Sequence, residues 1–512
     1  MPFADHIIRL HADDDVGVAK TALLNGQVLT SDANQLIINT AIPAGHKVAL
    51  RQIASGQPTH KYGQIIGFAL KNISPGDHVH THNLGLKDFK RDYAWCADAR
   101  SLPPLTTPLQ FSGFARASGE VGTRNYVAVI SSVNCSASVS RYVADHFRDD
   151  HFKTDLLNID GVVAFTHKSG CGILPDEPAL LLQRVMAGIA SHPNIGGYLI
   201  IGLGCEVNQV QQLVNDARLK DTSSSDTAPK VFTIQQTGGV RKTVAAAIAA
   251  VEKLLPEVNA FHRTPQPVAK LRLALNCGGS DGNSGITCNP ALGVASDTLV
   301  RHGGSSVLGE TPEIYGAEHL LTRRALTREI GEKLIAHIHW WEDYTQRHGA
   351  SIDNNPSPGN KIGGLTTIYE KSLGAVAKAG QAPLSAVYDY AEKISSAGLS
   401  FMNTPGFDPV SMTGLVSGGC NVGVFTTGRG SVYGCKPTPS IKIASNSILA
   451  MRMRDDIDIN AGTIIDGTET VEQVGQRIFD KIVSVANGEK TKSELAGMGD
   501  EEFAPWILGP TM

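Results

Sequence analysis

Four cysteines stand where a parallel sheet would present them to a ligand. Cys135 follows the apolar run YVAVISSVN, Cys171 follows VVAFTHKSG, Cys205 ends YLIIGLG and Cys277 ends LRLALN. In an open parallel sheet ligands settle beyond the carboxyl ends of the strands, so residues just after each run are privileged. Their loops also carry His167 four residues before Cys171, Glu206 directly after Cys205, and Asp281 after the segment Cys277-Gly278-Gly279-Ser280. Thiolate, imidazole and carboxylate together suit iron or another borderline metal, with Mn2+ or another divalent ion as the alternative, whereas hard oxygen ligands alone would suit magnesium or calcium. Four converging thiolates would instead hold an iron–sulfur cluster. The alternative is that each cysteine is a small buried residue between helix and strand, the usual fate of a free thiol.

Three further segments could grip an anionic small molecule. CGGSDGNSG places clustered glycines before a helix, where exposed N–H groups of Gly278, Gly279 and Ser280 could accept a carboxylate. It matches neither G-x-G-x-x-G nor a phosphate loop with its Lys. Asn355-Pro356-Ser357-Pro358-Gly359-Asn360-Lys361 is a loop fixed by two prolines, with Asn355, Ser357 and Asn360 as polar contacts and Lys361 as acid–base group or carboxylate partner. Thr427-Gly428-Arg429 follows the run GVF and puts Arg429 where a bidentate grip on a carboxylate would be natural. In Asp77-His78-Val79-His80-Thr81-His82, alternate residues of a strand share a face, so His78, His80 and His82 could present three imidazoles to a metal.

The elements that must position these groups fall into parts. With 512 residues and a prior of roughly 150 per domain, about three domains are expected. Hydrophobic content of 42% and charge of 18% support large cores. A net charge of −4 and the lack of a basic run argue against nucleic acid and for a small-molecule ligand. No apolar stretch approaches a membrane span and the start MPFADHIIRL lacks a signal-peptide core, so a cytoplasmic protein is expected. Eight cysteines without a C-x-x-C pair read as thiols or metal ligands.

Residues 1–85 read as short β pieces (HIIRLH, QLIINTAI, HKVALRQI, GQIIGFAL) broken by Gly, Pro and Asp turns, which predicts a small all-β module. A linker follows over 86–110. From 111 to 265, apolar runs alternate with helical patterns, and a second such series fills 266–512, beginning at LRLALN. That alternation predicts two α/β, Rossmann-like domains with parallel sheets. No internal repeat is evident, and DTSSSDTAP near residue 221 reads as an exposed loop.

The segments CGGSDGNSGITCNP, NPSPGNK, TTGRG, IGLGCE and VGTRN resemble the signature segments of the altronate and galactarate dehydratases, along nearly the whole chain. The resemblance implies an N-terminal β-clip module of SAF type, a second domain used for homodimerisation, and a C-terminal Rossmann-like domain. It implies Fe2+-dependent loss of water from a sugar acid to a 2-keto-3-deoxy acid. It extends the substrate segments to Asn289, Thr427 and Gly428. His167, Lys361, Arg429 and Asp281 become the candidate catalytic residues. HVHTHN is similar to altronate-type members, which favours an aldonate. The rival readings are a related lyase that eliminates sulfite from sulfolactate and a non-catalytic sugar-acid binding protein.

Overall fold

In the N-terminal module one four-residue device recurs: Leu23–Gly26 (LLNG), Ile42–Gly45 (IPAG), Ile53–Gly56 (IASG) and Ile73–Gly76 (ISPG). Each begins with a buried aliphatic residue. Each ends on a glycine with φ between 78° and 85°, a left-handed turn conformation that costs glycine nothing. The aliphatic members pair across the module, Leu23 with Ile42 and Ile53 with Ile73. The unit is short and unevenly spaced, so it leaves no periodic signal in the chain. The turns separate antiparallel strands: Ile7–Ile8, Val16–Ala19, Lys47–Ala49 and His78–Val79 in one sheet, Pro58–Lys61, Gln64–Ala69 and Leu84–Gly85 in another, with a Val28–Thr30/Gln35–Ile37 hairpin. The computed structural model describes residues 1–30, 35–148, 156–214 and 230–509; the DTSSSDTAP segment lies outside them.

After a stretch without strands, the strand Gln110–Ala115 pairs antiparallel with Arg263–Pro267, so the chain enters and leaves the second domain side by side. Between them a parallel sheet runs in the order Gly161–Phe165, Tyr126–Ser131, Ile195–Gly202, Lys230–Thr233. Helices Ala137–His146, Glu177–Ala190 and Val240–Asn259 bury aliphatic stripes on its faces.

The C-terminal domain holds seven parallel strands in the order Leu384–Tyr388, Gly398–Met402, Ser305–Leu308, Arg272–Cys277, Val422–Thr427, Ser440–Ala444, Ile459–Asn460. Its central strands are buried along their length, as a sheet covered by helices on both faces requires. Strand order reverses between Arg272–Cys277, which leads to Ser305–Leu308 on one side, and Val422–Thr427, which leads to Ser440–Ala444 on the other. A multidomain protein with a small antiparallel N-terminal module and large parallel sheets is therefore what the fold shows.

The module docks onto this domain through charge. Lys47 Nζ and Lys61 Nζ lie 2.8 and 2.9 Å from the two oxygens of Glu370, with all three side chains 1% exposed or less. Lys47 also donates to the Gly364 carbonyl at 2.6 Å, and Thr366 Oγ1 donates to Glu370 at 2.7 Å. Burial pushes the Glu370 carboxyl up, but the two ammoniums more than offset this and hold it well below the usual range. Backbone approaches closely beside the bridge: a Cβ on Gly282 or Gly364 would fall 2.1 or 2.4 Å from the Gly45 carbonyl oxygen.

Removing one partner of a buried ion network leaves uncompensated charge, typically about 3–5 kcal/mol. Glu370→Gln should lower the unfolding free energy of the first urea transition by an amount in that range, and a transition equal to wild type would sink the view that this bridge holds the module.

Candidate active site at the sheet switch point

Where an open α/β sheet reverses direction, the loops after the two flanking strands part and leave a crevice. Here those loops are Gly278-Gly279-Ser280-Asp281 and Gly428-Arg429-Gly430. Gly279, at φ +63°, offers its carbonyl to Gly428 N–H at 3.0 Å and to Arg429 N–H at 2.7 Å. Asp281 is buried, which raises its pKa. Its carboxylate accepts from Ser284 N and Oγ at 2.8 Å and from Ser445 Oγ at 2.9 Å. A Cβ on Gly428 would sit 2.2 Å from Asp281 Cγ. Asp281 thus clamps the two loops together rather than facing a ligand. Thr427 Oγ1 accepts from Gly430 N–H at 3.0 Å, and Asn289 accepts from Thr426 Oγ1 at 2.7 Å while donating to the Gly374 carbonyl, so both spend their groups on loop geometry. The Arg429 side chain is exposed.

The Asn355–Lys361 segment closes a third side. Ser357 and Asn360 form a capping box that starts the short helix Pro358–Ile362, and Asn360 Nδ2 donates to the Ser280 carbonyl at 2.8 Å. The end of that helix receives the N-terminal module. His80 Nε2 donates to the Lys361 carbonyl at 2.9 Å and His46 Nε2 donates to the Ile362 carbonyl at 3.1 Å. Those bonds place the protons on Nε2 and leave both Nδ1 atoms as bases. His46 Nδ1 meets His78 Nε2 at 3.0 Å, with ring centres of His46, His78, His80 and His82 5.0 to 5.6 Å apart along the group. The three histidines read from HVHTHN do gather, although only His78 lies in a strand. His46 joins from the second Gly turn. Burial, reinforced by the neighbouring imidazoles, pushes His78 down to about 3, and burial likewise lowers His46 and His80. His46, His78 and His80 are therefore neutral at physiological pH.

Beneath the crevice lies a buried polar group that sequence reasoning missed apart from Cys277 and Asn355. Cys277 Sγ accepts from Lys378 Nζ at 2.8 Å, and Lys371 Nζ lies 2.6 Å from Glu313 Oε1 and 2.9 Å from Asn355 Oδ1. Glu310 has φ +70°, rare for a residue with a Cβ, and its Oε1 is buried without a hydrogen bond. Burial and the neighbouring Glu313 push Glu310 well up. Glu313, although burial opposes it, is held down by Lys371. Asp408 is raised by burial and by Glu313 to about 7, and its Oδ2 would be 2.2 Å from a Cβ on Gly278. Glu310 comes two residues after Ser305–Leu308, so the strand-end rule pointed to it. Lys371 and Lys378 lie in helical turns that carry no such signal.

The remaining candidates lie on the second domain. His167 donates through Nε2 to the Ser131 carbonyl at 2.9 Å and accepts from Ser169 N–H at 3.2 Å, and burial lowers its pKa to about 4. With both nitrogens occupied it is a brace for its loop, not a free base. Glu206 accepts from Ser132 Oγ at 2.8 Å and from Gly204 N–H at 2.6 Å, so its carboxylate is also spent on the loops. Cys135, Cys171 and Cys205 are exposed there, whereas Cys277 is buried in the C-terminal domain. The four thiols therefore split into three and one.

Family models match in chain order: the altronate/galactarate dehydratase SAF domain over residues 5–87, the D-galactarate dehydratase/altronate hydrolase second domain over 113–259, and the D-galactarate/altronate dehydratase C-terminal domain over 268–511. An altronate dehydratase of Escherichia coli (strain K12) is 36% identical over 490 residues, covering 95% of this chain and 96% of the relative. The chain belongs to the altronate/galactarate dehydratase family. An L-threo-forming galactarate dehydratase of the same organism is also 36% identical, covering 96% of this chain and 95% of the relative. The β subunit of a (2R)-sulfolactate sulfo-lyase from Chromohalobacter salexigens is 29% identical over 77% of this chain and 96% of its own length. This family member is an enzyme of the hydro-lyase type. No helix among the described residues is long and apolar enough to cross a membrane.

Unfolded histidines take a proton near pH 6.5, while His46, His78, His80, His167 and His192 resist it in the fold, the last two down to about 4. Below about pH 6.5 the unfolded state binds more protons, so their share of stability is whole above that pH and drains as pH falls toward 4. Urea midpoints measured from pH 7.5 to 4.5 should fall steadily below pH 6.5, and a flat profile would contradict this.

Proposed function

We propose that the enzyme is an iron-dependent dehydratase of an aldonate of the altronate type, giving the 2-keto-3-deoxy acid. The observation that carries the aldonate preference is the histidine group of HVHTHN and His46, seated through His80 and His46 on the carbonyls of Lys361 and Ile362. The curated altronate dehydratases of Escherichia coli and Bacillus subtilis, 36% and 34% identical, support the same reading.

The reaction breaks the C2–H bond, with the proton passing to a base, and the C3–O bond. The departing hydroxyl takes a proton to leave as water, and the enol formed between C2 and C3 becomes the ketone. Because charge builds on the carboxylate as the C2 proton leaves, cationic donors must meet it there. Arg429 and the backbone N–H groups of Gly279 and Ser280 are the proposed grip, the Gly278 N–H being spent on the Thr426 carbonyl at 3.0 Å. Lys361, at the mouth of the crevice, is the candidate base. Asp408, poised near neutrality against Gly278, is suited to return a proton to the departing hydroxyl.

Iron, when bound, supplies Lewis acidity to the carboxylate and the leaving hydroxyl. The buried donors Cys277, Glu310 and Glu313 lie within 4.8 Å of one another, yet Lys371 and Lys378 already neutralise them, so a dication does not fit. The exposed thiols of Cys135, Cys171 and Cys205 are the donor set proposed for it; in the histidine group His46 Nδ1 already meets His78 Nε2 at 3.0 Å and His80 Nδ1 meets Thr81 Oγ1 at 3.1 Å. Eight free cysteines suit a reducing, cytoplasmic setting, and the domain between the paired strands Gln110–Ala115 and Arg263–Pro267 is the proposed homodimer surface.

Anaerobic, iron-loaded enzyme assayed on stereoisomeric aldonates, aldarates and sulfolactate should turn over altronate. Turnover of galactarate alone, or release of sulfite, would overturn the aldonate assignment. Lys361→Met and Asp408→Asn should each lower kcat about 10²–10⁴-fold, the usual contribution of acid–base catalysis. His167→Gln should instead lower stability with kcat little changed, and the reverse pattern would restore His167 as the base.

A further inference from the structure

Three thiols stand at one edge of the second domain. Strands Gly161–Phe165, Tyr126–Ser131 and Ile195–Gly202 are neighbours with Phe165, Ile130 and Ile200 in register. Cys171, Cys135 and Cys205 come six, five and five residues beyond those positions. Adjacent strands are about 4.8 Å apart, so three successive strands deliver one thiol each to the same end of the sheet. All three are exposed, against the usual preference of free cysteine for the interior.

The loops that carry them are locked together. Asn134 N–H donates to the Ser169 carbonyl at 2.9 Å, Asn208 N–H to the Gly170 carbonyl at 3.2 Å, and Asn208 Nδ2 to the Ser132 carbonyl at 2.8 Å. A Cβ on Gly170 would fall 2.6 Å from the Ser132 carbonyl oxygen, so the thiol loops pass backbone to backbone. His167 and Glu206, the other ligand types at this edge, are consumed in bracing those loops. What the edge offers outward is sulfur.

A single tetrahedral zinc would draw thiolate sulfurs to about 3.8 Å from one another, given Zn–S bonds of about 2.3 Å. Among the described residues the three-donor group that closes within 4.8 Å is Cys277, Glu310 and Glu313, and the exposed thiols form no such group. A larger inorganic centre spans a wider set. We propose that Cys135, Cys171 and Cys205 hold a [4Fe–4S] cluster whose fourth iron has no protein ligand and receives the carboxylate and hydroxyl oxygens of the substrate. The inference rests on the iron-dependent reading above and names the form the iron takes.

Ile173 and Val207, each two residues beyond a thiol, share an apolar cluster with Phe425 and Tyr433, which flank Arg429 in the chain. The thiol loops therefore share one apolar cluster with the strand that leads into the switch-point crevice. Gln235 Nε2 lies 3.7 Å from Cys205 Sγ, a donor to a ligating sulfur of the kind that tunes such clusters. The elimination is redox-neutral, so the cluster acts as a Lewis acid and needs no electron donor. Its assembly takes ferrous iron and sulfide from outside the chain.

The full-length protein, purified without oxygen and reconstituted with ferrous iron and sulfide, should be brown and contain about four irons and four acid-labile sulfides per chain. Cys135→Ser, Cys171→Ser and Cys205→Ser should each lose the sulfide and the visible absorbance while keeping the wild-type melting temperature of the metal-free chain. Cys277→Ser should keep both signals. Active protein with iron but no labile sulfide would overturn the cluster and leave the iron-dependent reading standing. A cluster whose loss by the three serine variants leaves turnover unchanged would overturn its role as the substrate's iron. Retention of the cluster in all three variants would overturn the ligand assignment.

Discussion

The Lys47–Glu370–Lys61 bridge is the interaction on which the architecture of the crevice depends. Two ammoniums and one carboxylate, taken almost wholly out of water, are stable only when their partners are held in place. The bridge ties the N-terminal module to the helix that begins at Ile368, and His46 is the residue beside Lys47 in the chain. The same contact that satisfies Lys47 therefore sets His46 against Ile362. Gly282 and Gly364 permit the approach because any side chain there would meet the Gly45 carbonyl. Without this bridge the histidines would belong to a separate β module, and the crevice would lack one wall.

Charge in the site is arranged in layers. His46, His78 and His80 are neutral because burial and mutual proximity oppose protonation, and their nitrogens bond one another and the Lys361 and Ile362 carbonyls. Below it, Glu310 is pushed toward its protonated form and Glu313 toward its ionised form, with Lys371 and Lys378 as counterions. Such divergent environments for like groups are how a site keeps an acid and a base ready at one pH. Asp408 stands between, next to the glycine loop. The sulfur-bearing edge of the second domain supplies a different chemistry, soft and outward-facing, linked to the crevice by the apolar cluster that Ile173 and Val207 share with Phe425 and Tyr433.

Much of this organisation was legible in the chain. The apolar runs that end at Ser131, Phe165, Gly202, Cys277 and Thr427 are strands, and the residues after them do line sheet edges. The Ser357/Asn360 cap and the close contact of the CGGSDG and TTGRG loops follow from local chemistry as well. The strands Leu384–Tyr388 and Ile459–Asn460 were not recognised. One is bounded by a bulge and the other is two residues long, so neither offers a clear period. The fourfold Gly turn escaped notice because its signal is one aliphatic residue and one glycine.

By itself the sequence determined the family, the parallel-sheet plan and the types of residue that could do the chemistry, because periodicity, glycine turns and long motifs are local properties. Only the tertiary structure decided which of those residues are free to act. It spent His167, Glu206 and Asp281 on holding loops, and it separated Cys277 from the other three thiols. It brought His46 to the HVHTHN histidines, and it buried Glu310, Glu313, Lys371, Lys378 and Asp408 together. Hydrogen-bond satisfaction and desolvation are properties of neighbours distant in the chain, and no spacing of letters carries them.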